Sequence, residues 1–372
     1  MAVIVAEDDR VLRFLDVLFE PQLDPVRAAA LADYFAHENL DLGAWKDAVR
    51  TRSPGLFPST IRWVTGPDAL REALRDADAV VVEKLKIGKA ELAAGRSLAA
   101  VCKFGTITDN IDLAACGRRR LPVLIVRRRT NIAVAEHALA LILASFKRLP
   151  AVSGYVTVER MNAAGRPFRP YDRRHAGGNN YARVAGLRNL SGLTLGLLGM
   201  GEIGREVAMR ARAFGLNLVY HQRHRLDAAT EAGLAVRHCA LPALFSGVDV
   251  VSVHVPLGPA TRGMVGAKEL ALMKPGSLLV NTSRAEIVER AALTAALRSG
   301  TISAALDVQY DEPAAADDPL LGLDNVLLTP HIAGGARVNP AGDIEEIVSR
   351  IWRSMRGRGR APARRVSRRR KP

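Results

Sequence analysis

Cysteine, aromatic side chains and long apolar runs are all scarce in this sequence of 372 residues. The three cysteines, Cys102, Cys116 and Cys239, are odd in number and lack metal-type spacing, so neither a disulfide framework nor a metal site is indicated. No apolar run of about 18 residues occurs, and the N-terminus carries acidic residues where a secretory signal would be basic. We therefore expect a cytoplasmic protein with reduced thiols and no membrane segment.

Positive charge is abundant but unevenly distributed. The formal net charge is +15, and nine lysines or arginines with no acid lie between Arg356 and Pro372. Because this segment has no apolar periodicity, we predict a disordered basic tail over residues 356–372. A solvated tail is the preferred interpretation, and the alternative is contact with nucleic acid or another polyanion through neutralisation of phosphates.

The apolar pattern predicts two α/β domains. The hydrophobic content of 48% is enough for two cores, and the chain is longer than one core usually serves. In the first part of the chain, apolar segments bounded by polar residues predict one small sheet. Its strands are predicted at Val3–Val5, Ala79–Val82, Leu98–Cys102 and Pro122–Val126, with a loop near Ser53–Ser59.

A second, larger sheet is predicted after a connecting helix. Apolar residues recur at helical spacing over Asn131–Leu149, and Ala151–Leu190 has little periodicity, so we expect a long ordered excursion there. The chain then alternates between apolar segments and helical patterns, which indicates a doubly wound parallel sheet. The segments are LTLGLLGM, LNLVYH, VDVVSVHVPL, SLLVNTS, ISAALDV and NVLLTPH.

A glycine motif between a predicted strand and a predicted helix indicates a dinucleotide site. Gly199, Gly201 and Gly204 have the spacing G-x-G-x-x-G. The first glycine permits a tight turn, the second lets the backbone approach a pyrophosphate, and the third allows close helix packing. The motif alone is weak evidence, but its strand and helix context strengthens it.

The next strand ends in VYHQRHR, without the carboxylate that NAD enzymes place against the ribose hydroxyls. Arg223, with His221, Gln222 and Arg225 nearby, can bind the additional phosphate of NADP by charge-assisted hydrogen bonds. We therefore predict NADP in preference to NAD. The alternative is an ordinary solvated loop in a protein that uses NAD.

Three polar residues, Arg284, Glu312 and His331, lie just beyond three predicted strands. Ligands bind beyond the carboxyl ends of the strands in such sheets, so these side chains are predicted to converge. Arg284 can hold a carboxylate through two parallel hydrogen bonds. His331 can deliver a proton, and Glu312 can orient its ring and favour its protonated form. Singly, each residue also has an ordinary structural interpretation.

The chain resembles the D-isomer-specific 2-hydroxyacid dehydrogenases over most of residues 79–337. The resemblance rests on DNID, NIAVAEHALAL, GLLGMGEIG, HVPLGPATRGMV, LMKPGSLLVNTSRAEIV, ALDVQYDEP and NVLLTPHIAGG. It implies catalytic roles for Arg284, Glu312 and His331, and places Asp307 against the nicotinamide amide. The other positions that it implies around the cofactor are Glu202, Ile203, Pro256, Thr261, Thr282, Ser283 and Gly334.

The resemblance also implies a domain organisation and an assembly. A Rossmann cofactor domain over residues 130–331 is expected to be inserted in a smaller flavodoxin-like substrate domain over residues 1–129 and 332–355. A homodimer formed through the cofactor domain is expected as well. The substrate implied is a small 2-oxo or 2-hydroxy acid, as in glyoxylate and hydroxypyruvate reductases.

Several departures from the family pattern concern the substrate. The backbone at Lys103, Phe104 and Gly105, implied to meet the substrate carboxylate, replaces a glycine-rich turn. Glu83 lies where phosphoglycerate dehydrogenases place an arginine, and its charge would repel a phosphate. We also expect no C-terminal regulatory domain. The triplet 127–129 is either a basic rim or a contact for a second anionic group.

Two other interpretations remain open at this point. Some relatives of this fold are corepressors, so the alternative to an enzyme is a dinucleotide-sensing binding protein with little turnover. Formate dehydrogenases are similar too, but they pair the histidine with Gln rather than with Glu312. His137, inside the connecting helix, is expected to be packed or hydrogen-bonded rather than catalytic.

Overall fold

The computed structural model of this chain describes residues 1–175 and 177–358. The chain forms two compact units, Met1–Thr130 with Ala336–Pro372, and Asn131–Gly335. The predicted division had the same order of segments, with its boundaries after residues 129 and 331. Of the predicted tail, residues 359–372 lie outside the described residues, whereas Arg356, Gly357 and Arg358 continue the last helix.

The first unit contains a five-stranded sheet in which every neighbouring pair is parallel. Its order is β2-β1-β3-β4-β5, the flavodoxin-like order in which the chain winds to both sides of the first strand. The strands are β1 (Ala2–Glu7), β2 (Ser59–Val64), β3 (Ala79–Val82), β4 (Ala100–Phe104) and β5 (Val123–Val126).

The second unit contains a seven-stranded parallel sheet in the order β12-β11-β10-β9-β6-β7-β8. This is the doubly wound order of a Rossmann fold, in which the chain reverses direction beside its first strand. The strands are β6 (Thr194–Leu198), β7 (Asn217–His221), β8 (Val236–His238), β9 (Val250–Val253), β10 (Leu278–Asn281), β11 (Ser303–Leu306) and β12 (Val326–Leu328). The predicted fold class, a Rossmann sheet with a smaller α/β sheet, is confirmed.

Helices connect most successive strands of each sheet, as is usual for parallel pairing, whereas β11 and β12 are joined by a loop. Those between the strands of the first unit are α1 (Leu15–Phe19), α2 (Pro25–Phe35), α3 (Leu42–Arg52), α4 (Pro67–Ala73), α5 (Lys89–Ala94) and α6 (Leu113–Arg118). The remaining helices in chain order are α7 (Arg129–Phe146), α8 (Leu149–Val152), α9 (Val158–Ala163), α10 (Glu202–Ala211), α11 (Ala228–Leu234), α12 (Leu241–Gly247), α13 (Ala267–Ala271), α14 (Arg290–Arg298) and α15 (Asn339–Arg358).

Sequence reasoning missed β2 and β8. Both are edge strands, which pair on one side only. Thr60 and Arg62 interrupt the apolar pattern of β2, and Arg237 does so in the three-residue β8. These polar residues interrupt the continuous apolar run by which the other strands were found.

Helical periodicity builds the core of each unit. In the first unit, α15 buries Ile344, Ile347, Val348 and Ile351 in the core formed with β1, β3 and β4. In the second unit, the inner face of α7 packs in one core with β6 and α10. Each such side chain contributes about 1.5 to 3 kcal/mol through burial. Among the helices of residues 1–175 and 177–358, none has the length and apolar content needed to cross a membrane.

Candidate active site

The glycine motif forms the turn between β6 and α10. Gly199 has φ of +103°, and a Cβ added there would lie 2.7 Å from the carbonyl oxygen of His254. A Cβ on Gly204 would clash with the backbone of Gly199, so two of the three glycines are required by the turn itself. A Cβ on Gly201 would meet no atom within 4 Å. Packing does not explain Gly201, whereas close approach of a phosphate does.

The surroundings of this turn fit a dinucleotide. The backbone N–H groups that open α10 carry the partial positive charge of a helix N-terminus, which favours a phosphate. Two buried polar atoms at the ends of nearby strands, Oγ1 of Thr282 and Nδ1 of His254, have no hydrogen-bond partner among the described residues. They follow the adjacent strands β10 and β9. Buried polar atoms without a partner are uncommon in folded proteins, and a ligand can supply the missing partner.

Burial lowers the pKa of His254 to about 4. Its ring is therefore neutral at neutral pH, and its Nε2 lies 2.8 Å from the hydroxyl of Ser252. A buried neutral imidazole in this position can line a cofactor cleft. It is poorly placed to act as a general acid.

The two arginines in the loop after β7, within VYHQRHR, have different surroundings. Arg225 forms two hydrogen bonds with the carboxylate of Glu231, of 2.9 and 2.7 Å. Hydrogen bonds from Arg225 and from the hydroxyl of Tyr220 lower the pKa of Glu231 to about 2. Arg223 is exposed and has no such partner among the described residues. The sequence could not distinguish the two arginines, since it does not show which of them meets Glu231.

His221 and Gln222 are turned toward the protein. Nδ1 of His221 lies 2.9 Å from the carbonyl oxygen of Cys239, and the side-chain oxygen of Gln222 accepts from the N–H of Met200 at 3.1 Å. Gln222 thus ties the loop after β7 to the glycine turn. These bonds support the backbone around Arg223, and contact of His221 and Gln222 with a cofactor stays a prediction.

The loops after β9 and β10 are held by their own side chains. The hydroxyl of Thr261 donates to the carbonyl oxygen of Pro256 at 2.6 Å, which closes the loop after β9. In the loop after β10, the hydroxyl of Ser283 donates to the carbonyl oxygen of Val253 at 2.9 Å. Pro256, Thr261 and Ser283 therefore shape the carboxyl edge of the sheet, where the cofactor positions were predicted.

Arg284 follows β10 in an extended conformation with an exposed side chain. The amide nitrogen of Asn281 donates to the carbonyl oxygen of Arg284 at 2.9 Å, and the N–H of Ser283 donates to the amide oxygen of Asn281 at 2.9 Å. Asn281 therefore clamps the turn on which Arg284 is carried. Sequence reasoning did not single out Asn281, because an Asn in a turn has many common roles.

His331 and Glu312 form a direct pair. Nδ1 of His331 lies 2.7 Å from Oε2 of Glu312. A carboxylate only accepts, so Nδ1 carries the hydrogen and Nε2 is left for another partner. His331 has φ of +54°, a left-handed conformation that costs about 1 to 2 kcal/mol in a residue other than glycine.

Burial opposes ionisation of Glu312, but hydrogen bonds from His331 and from the N–H of Gln309 outweigh it, and the charge of Arg284 adds to them. The pKa of Glu312 consequently lies below its ordinary value. The predicted group of three thus lies together in one unit: an exposed guanidinium that donates to the carbonyl oxygen of Ser283 at 2.6 Å, an ionised carboxylate, and an imidazole oriented by that carboxylate.

Replacing Glu312 with Gln is expected to move the alkaline loss of reduction activity toward lower pH. The reason is that a neutral amide no longer stabilises the protonated imidazole of His331. The measurement is kcat/KM for reduction as a function of pH. Asp324→Asn, an equal change of charge at an exposed loop residue, is the control and should leave the profile in place. An unmoved profile in the Glu312 variant would contradict the pairing.

Asp307, at the end of β11, is fully buried and engaged with protein groups on both oxygens. It accepts from the hydroxyl of Thr329 at 2.6 Å and from the N–H groups of Ile332 and Ala333 at 2.9 and 2.7 Å. His137 in α7 lies 3.3 Å away. The expected contact of Asp307 with the nicotinamide amide stays a prediction.

The remaining cofactor positions lie in the same unit. Glu202 is the first residue of α10, and its carboxylate accepts from the side-chain amide of Asn131 at 2.6 Å. Ile203 follows it and packs against the core of the second unit. Gly334 lies just after the backbone that Asp307 holds. Their contact with a cofactor stays a prediction.

The predicted substrate residues of the first unit lie at the carboxyl ends of β4 and β5. Lys103 is buried, and its ammonium donates to the carbonyl oxygen of Glu83. The carboxylate of Glu83 lies 2.7 Å from the guanidinium of Arg128. That guanidinium also stacks over Phe104, 4.5 Å from the ring centroid. Gly105 has φ of +126° and closes the turn after β4.

Glu7 was missed by sequence reasoning. Its carboxylate oxygen accepts from three successive N–H groups, those of Glu83, Lys84 and Leu85, at 2.7, 2.8 and 2.9 Å. Glu7 ends β1, the strand beside β3, so it shapes the turn that carries Glu83. Only the strand order brings these residues together.

Several known dehydrogenases and reductases are similar to this chain. Residues 158–333 match a family model described as the NAD binding domain of D-isomer specific 2-hydroxyacid dehydrogenase. The glyoxylate reductase of Korarchaeum cryptofilum is 33% identical over 324 residues, which are 86% of this chain and 88% of the relative.

Two further relatives extend the comparison. The D-3-phosphoglycerate dehydrogenase of Mycobacterium tuberculosis is 36% identical over 281 residues, 73% of this chain but 48% of the relative, so the chain spans about half the length of that protein. The solved apo structure of D-mandelate dehydrogenase from Rhodotorula graminis is similar at a TM-score of 0.52 and 26% identity. That similarity covers 94% of this chain and 93% of the other.

Proposed function

The chain belongs to the family of D-isomer specific 2-hydroxyacid dehydrogenases, and we propose that it reduces a 2-oxo acid to the D-2-hydroxy acid with His331 as proton donor. The observation that carries this proposal is the 2.7 Å pair of His331 and Glu312, beside which lies the charge of Arg284. This is the set that the reaction needs: an acid, a group that orients it, and a cation.

Each residue of the group has a defined task. Arg284 binds the substrate carboxylate through two hydrogen bonds and so fixes the direction of the neighbouring carbonyl. His331 donates its Nε2 proton to the carbonyl oxygen, and Glu312 stabilises the imidazolium before that transfer. The bound nicotinamide dinucleotide supplies the hydride. Addition of one hydride and one proton converts the 2-oxo acid to the 2-hydroxy acid.

The residues proposed to hold the dinucleotide are those of the glycine turn and the neighbouring loops. The open space at Gly201 and the N-terminus of α10 suit the pyrophosphate. Thr282 offers a buried hydroxyl without a partner. For the adenosine end we propose NADP rather than NAD, because Arg223 is the arginine of its loop that Glu231 leaves free.

Wild-type protein is expected to prefer NADPH, and Arg223→Asp is expected to lower that preference by about tenfold or more. The new carboxylate repels the 2′-phosphate and accepts from a ribose hydroxyl instead. The measurement is the ratio of kcat/KM for NADPH to that for NADH. Added salt should reduce the wild-type ratio, since an exposed contact of this kind is screened over about 8 to 10 Å at moderate ionic strength.

Arg298→Asp is the matched control for this experiment. It makes the same change of charge at an exposed residue in the last turn of α14 and should leave the cofactor ratio unchanged. A wild-type protein that uses NADH better than NADPH at low salt would overturn the NADP assignment, while the catalytic group would stand.

We propose a substrate with one carboxylate and no phosphate. In the first unit, the cation of Arg128 is already paired with Glu83 at 2.7 Å, and Arg129 is paired with Asp343 at 2.7 Å. Two arginines of the triplet 127–129 thus have intramolecular partners and are not free for a second anionic group.

We also propose a homodimer formed through the second unit. Exposed apolar side chains are concentrated between α7 and β6, where water would otherwise cover them. They are Leu149, Val156, Val158, Phe168, Tyr181 and Leu187. Sedimentation equilibrium measures the oligomeric state directly.

A panel of 2-oxo acids tests the proposed function. Glyoxylate, hydroxypyruvate, pyruvate, a bulkier 2-oxo acid and a phosphorylated one are each assayed with NADPH and with NADH. We expect turnover with members of the unphosphorylated set and a D-configured product. Tight dinucleotide binding with no turnover of any member would overturn the assignment as a 2-oxo acid reductase.

A further inference from the structure

We infer that His137 and Thr329 are positioning residues for His331, and that they act through the buried carboxylate of Asp307. The inference rests on the proposed function, because it concerns the groups that hold the proton donor in place. All four residues belong to the unit Asn131–Gly335.

Asp307 holds the backbone that follows His331. Its Oδ1 accepts from the N–H of Ile332 at 2.9 Å, and its Oδ2 accepts from the N–H of Ala333 at 2.7 Å. These are the two residues directly after His331, whose backbone is left-handed. A residue keeps such a conformation only where its surroundings enforce it. Two hydrogen bonds to one buried carboxylate provide that enforcement.

Thr329 ties the chain before His331 to the same carboxylate. Its hydroxyl donates to Oδ1 of Asp307 at 2.6 Å, and its carbonyl oxygen accepts from the N–H of His331 at 3.0 Å. The turn that carries the proton donor is thus fastened on both sides. Moving Asp307 would release both fastenings at once.

His137 completes the cluster from α7. Its Nε2 lies 3.1 Å from Oγ1 of Thr329 and 3.3 Å from Oδ1 of Asp307. The hydroxyl has a single hydrogen, which goes to the carboxylate, and the carboxylate only accepts. Nε2 of His137 must therefore carry a hydrogen and donate to these oxygens. The ring thus orients Thr329 and adds a donor to the carboxylate of Asp307.

The electrostatics of Asp307 agree with this arrangement. Burial disfavours its ionised form, but hydrogen bonds from His137, Thr329 and two backbone N–H groups outweigh burial, and the pKa of Asp307 lies below its ordinary value. The carboxylate is therefore charged at neutral pH, as its role of acceptor for four donors requires. Loss of His137 removes one of the groups that maintain this state.

Disturbing this cluster is expected to lower kcat while leaving the Kd for NADPH and the KM for the 2-oxo acid nearly unchanged. Both oxygens of Asp307 are engaged by protein groups and the residue is fully buried, so its disturbance should displace His331 more than it disturbs dinucleotide binding. We expect His137→Leu and Thr329→Val each to lower kcat by about tenfold, with less than a twofold change in the Kd for NADPH and in the KM for the 2-oxo acid. The tenfold change corresponds to about 1.4 kcal/mol.

Two further variants separate positioning from general stability. His137→Gln, whose amide nitrogen occupies nearly the place of Nε2 and can donate, should recover kcat to within about threefold of the wild type. Thr294→Val removes a hydroxyl that donates to the backbone of α14 and should leave kcat unchanged. The double variant His137→Leu/Thr329→Val should lose little more than either single variant, because both act on one network.

Hydrogen exchange at the amides of Ile332 and Ala333 reports on the turn independently of turnover. Exchange should be faster in His137→Leu and close to wild type in His137→Gln. Unchanged exchange and unchanged kcat in both His137→Leu and Thr329→Val, or a loss confined to Kd or KM, would overturn the inference. If His137→Leu does not fold, the comparison of kcat and amide exchange between Thr329→Val and its control Thr294→Val decides the inference. A wild type without turnover would refute the proposed function, and amide exchange would still decide this inference.

Discussion

Replacing His331 with alanine is expected to lower turnover by about 10² to 10⁴-fold, the usual range for a lost general acid, while the affinity for the dinucleotide stays nearly unchanged. The carbonyl oxygen would then have to take its proton from water, without the imidazole that Glu312 orients at 2.7 Å. The measurements are kcat for reduction and the Kd for NADPH, determined separately.

The left-handed backbone at His331 requires a second variant. Alanine is strained at φ of +54°, whereas asparagine tolerates this conformation and can still donate to Glu312. Asparagine cannot deliver a proton at the place of Nε2. If the lost acid is the cause, His331→Asn should be about as inactive as His331→Ala. Near-normal turnover of His331→Asn would remove His331 from the proton transfer. His37→Ala, the removal of an exposed histidine in the first unit, is the control.

Arg284→Lys is expected to lower kcat/KM by about 10²-fold, although the charge is kept. Lysine cannot reproduce the planar pair of hydrogen bonds to a carboxylate, and the loss of charge-assisted bonds worth about 3 kcal/mol corresponds to roughly that factor. Arg284→Ala should lower kcat/KM further than Arg284→Lys does. Arg262→Lys, at another largely exposed arginine of the same unit, should lose nothing.

A change of substrate identifies what Arg284 contacts. A 2-oxo amide lacks the carboxylate, so the wild type should reduce it poorly and Arg284→Lys should reduce it about equally poorly. A lysine variant that is fully active on the acid would mean that Arg284 does not bind the carboxylate. If Arg284→Lys lowered kcat/KM for the 2-oxo amide by the same factor as for the 2-oxo acid, Arg284 would act at another point of the reaction than the carboxylate.

Local sequence patterns were sufficient to predict most of the strands and helices. The buried strands β3, β6 and β9 are short apolar runs that periodicity finds directly, and the glycine turn before α10 has a recognisable spacing. The edge strands β2 and β8 were missed because half-exposed strands carry polar residues such as Arg62 and Arg237. The connecting helix was predicted two residues late at its start, since its first turn is polar.

The candidate catalytic group followed from the sequence for a physical reason. Arg284, Glu312 and His331 each follow a strand, and the carboxyl ends of parallel strands meet at one edge whatever their separation along the chain. The pairing of Glu312 with His331 at 2.7 Å, however, needs the actual loop conformations. Spacing alone could not provide a distance.

The sequence by itself determined the α/β class, the family, the glycine turn and the three polar residues at the strand ends, because these depend on short-range patterns. The tertiary structure alone decided which side chains share a partner. It paired Arg225 with Glu231 and left Arg223 free, and it joined His137 to Asp307 across 170 residues of chain. The first choice depends on the conformation of one loop and the second on where distant segments of the backbone meet, and short-range sequence patterns specify neither.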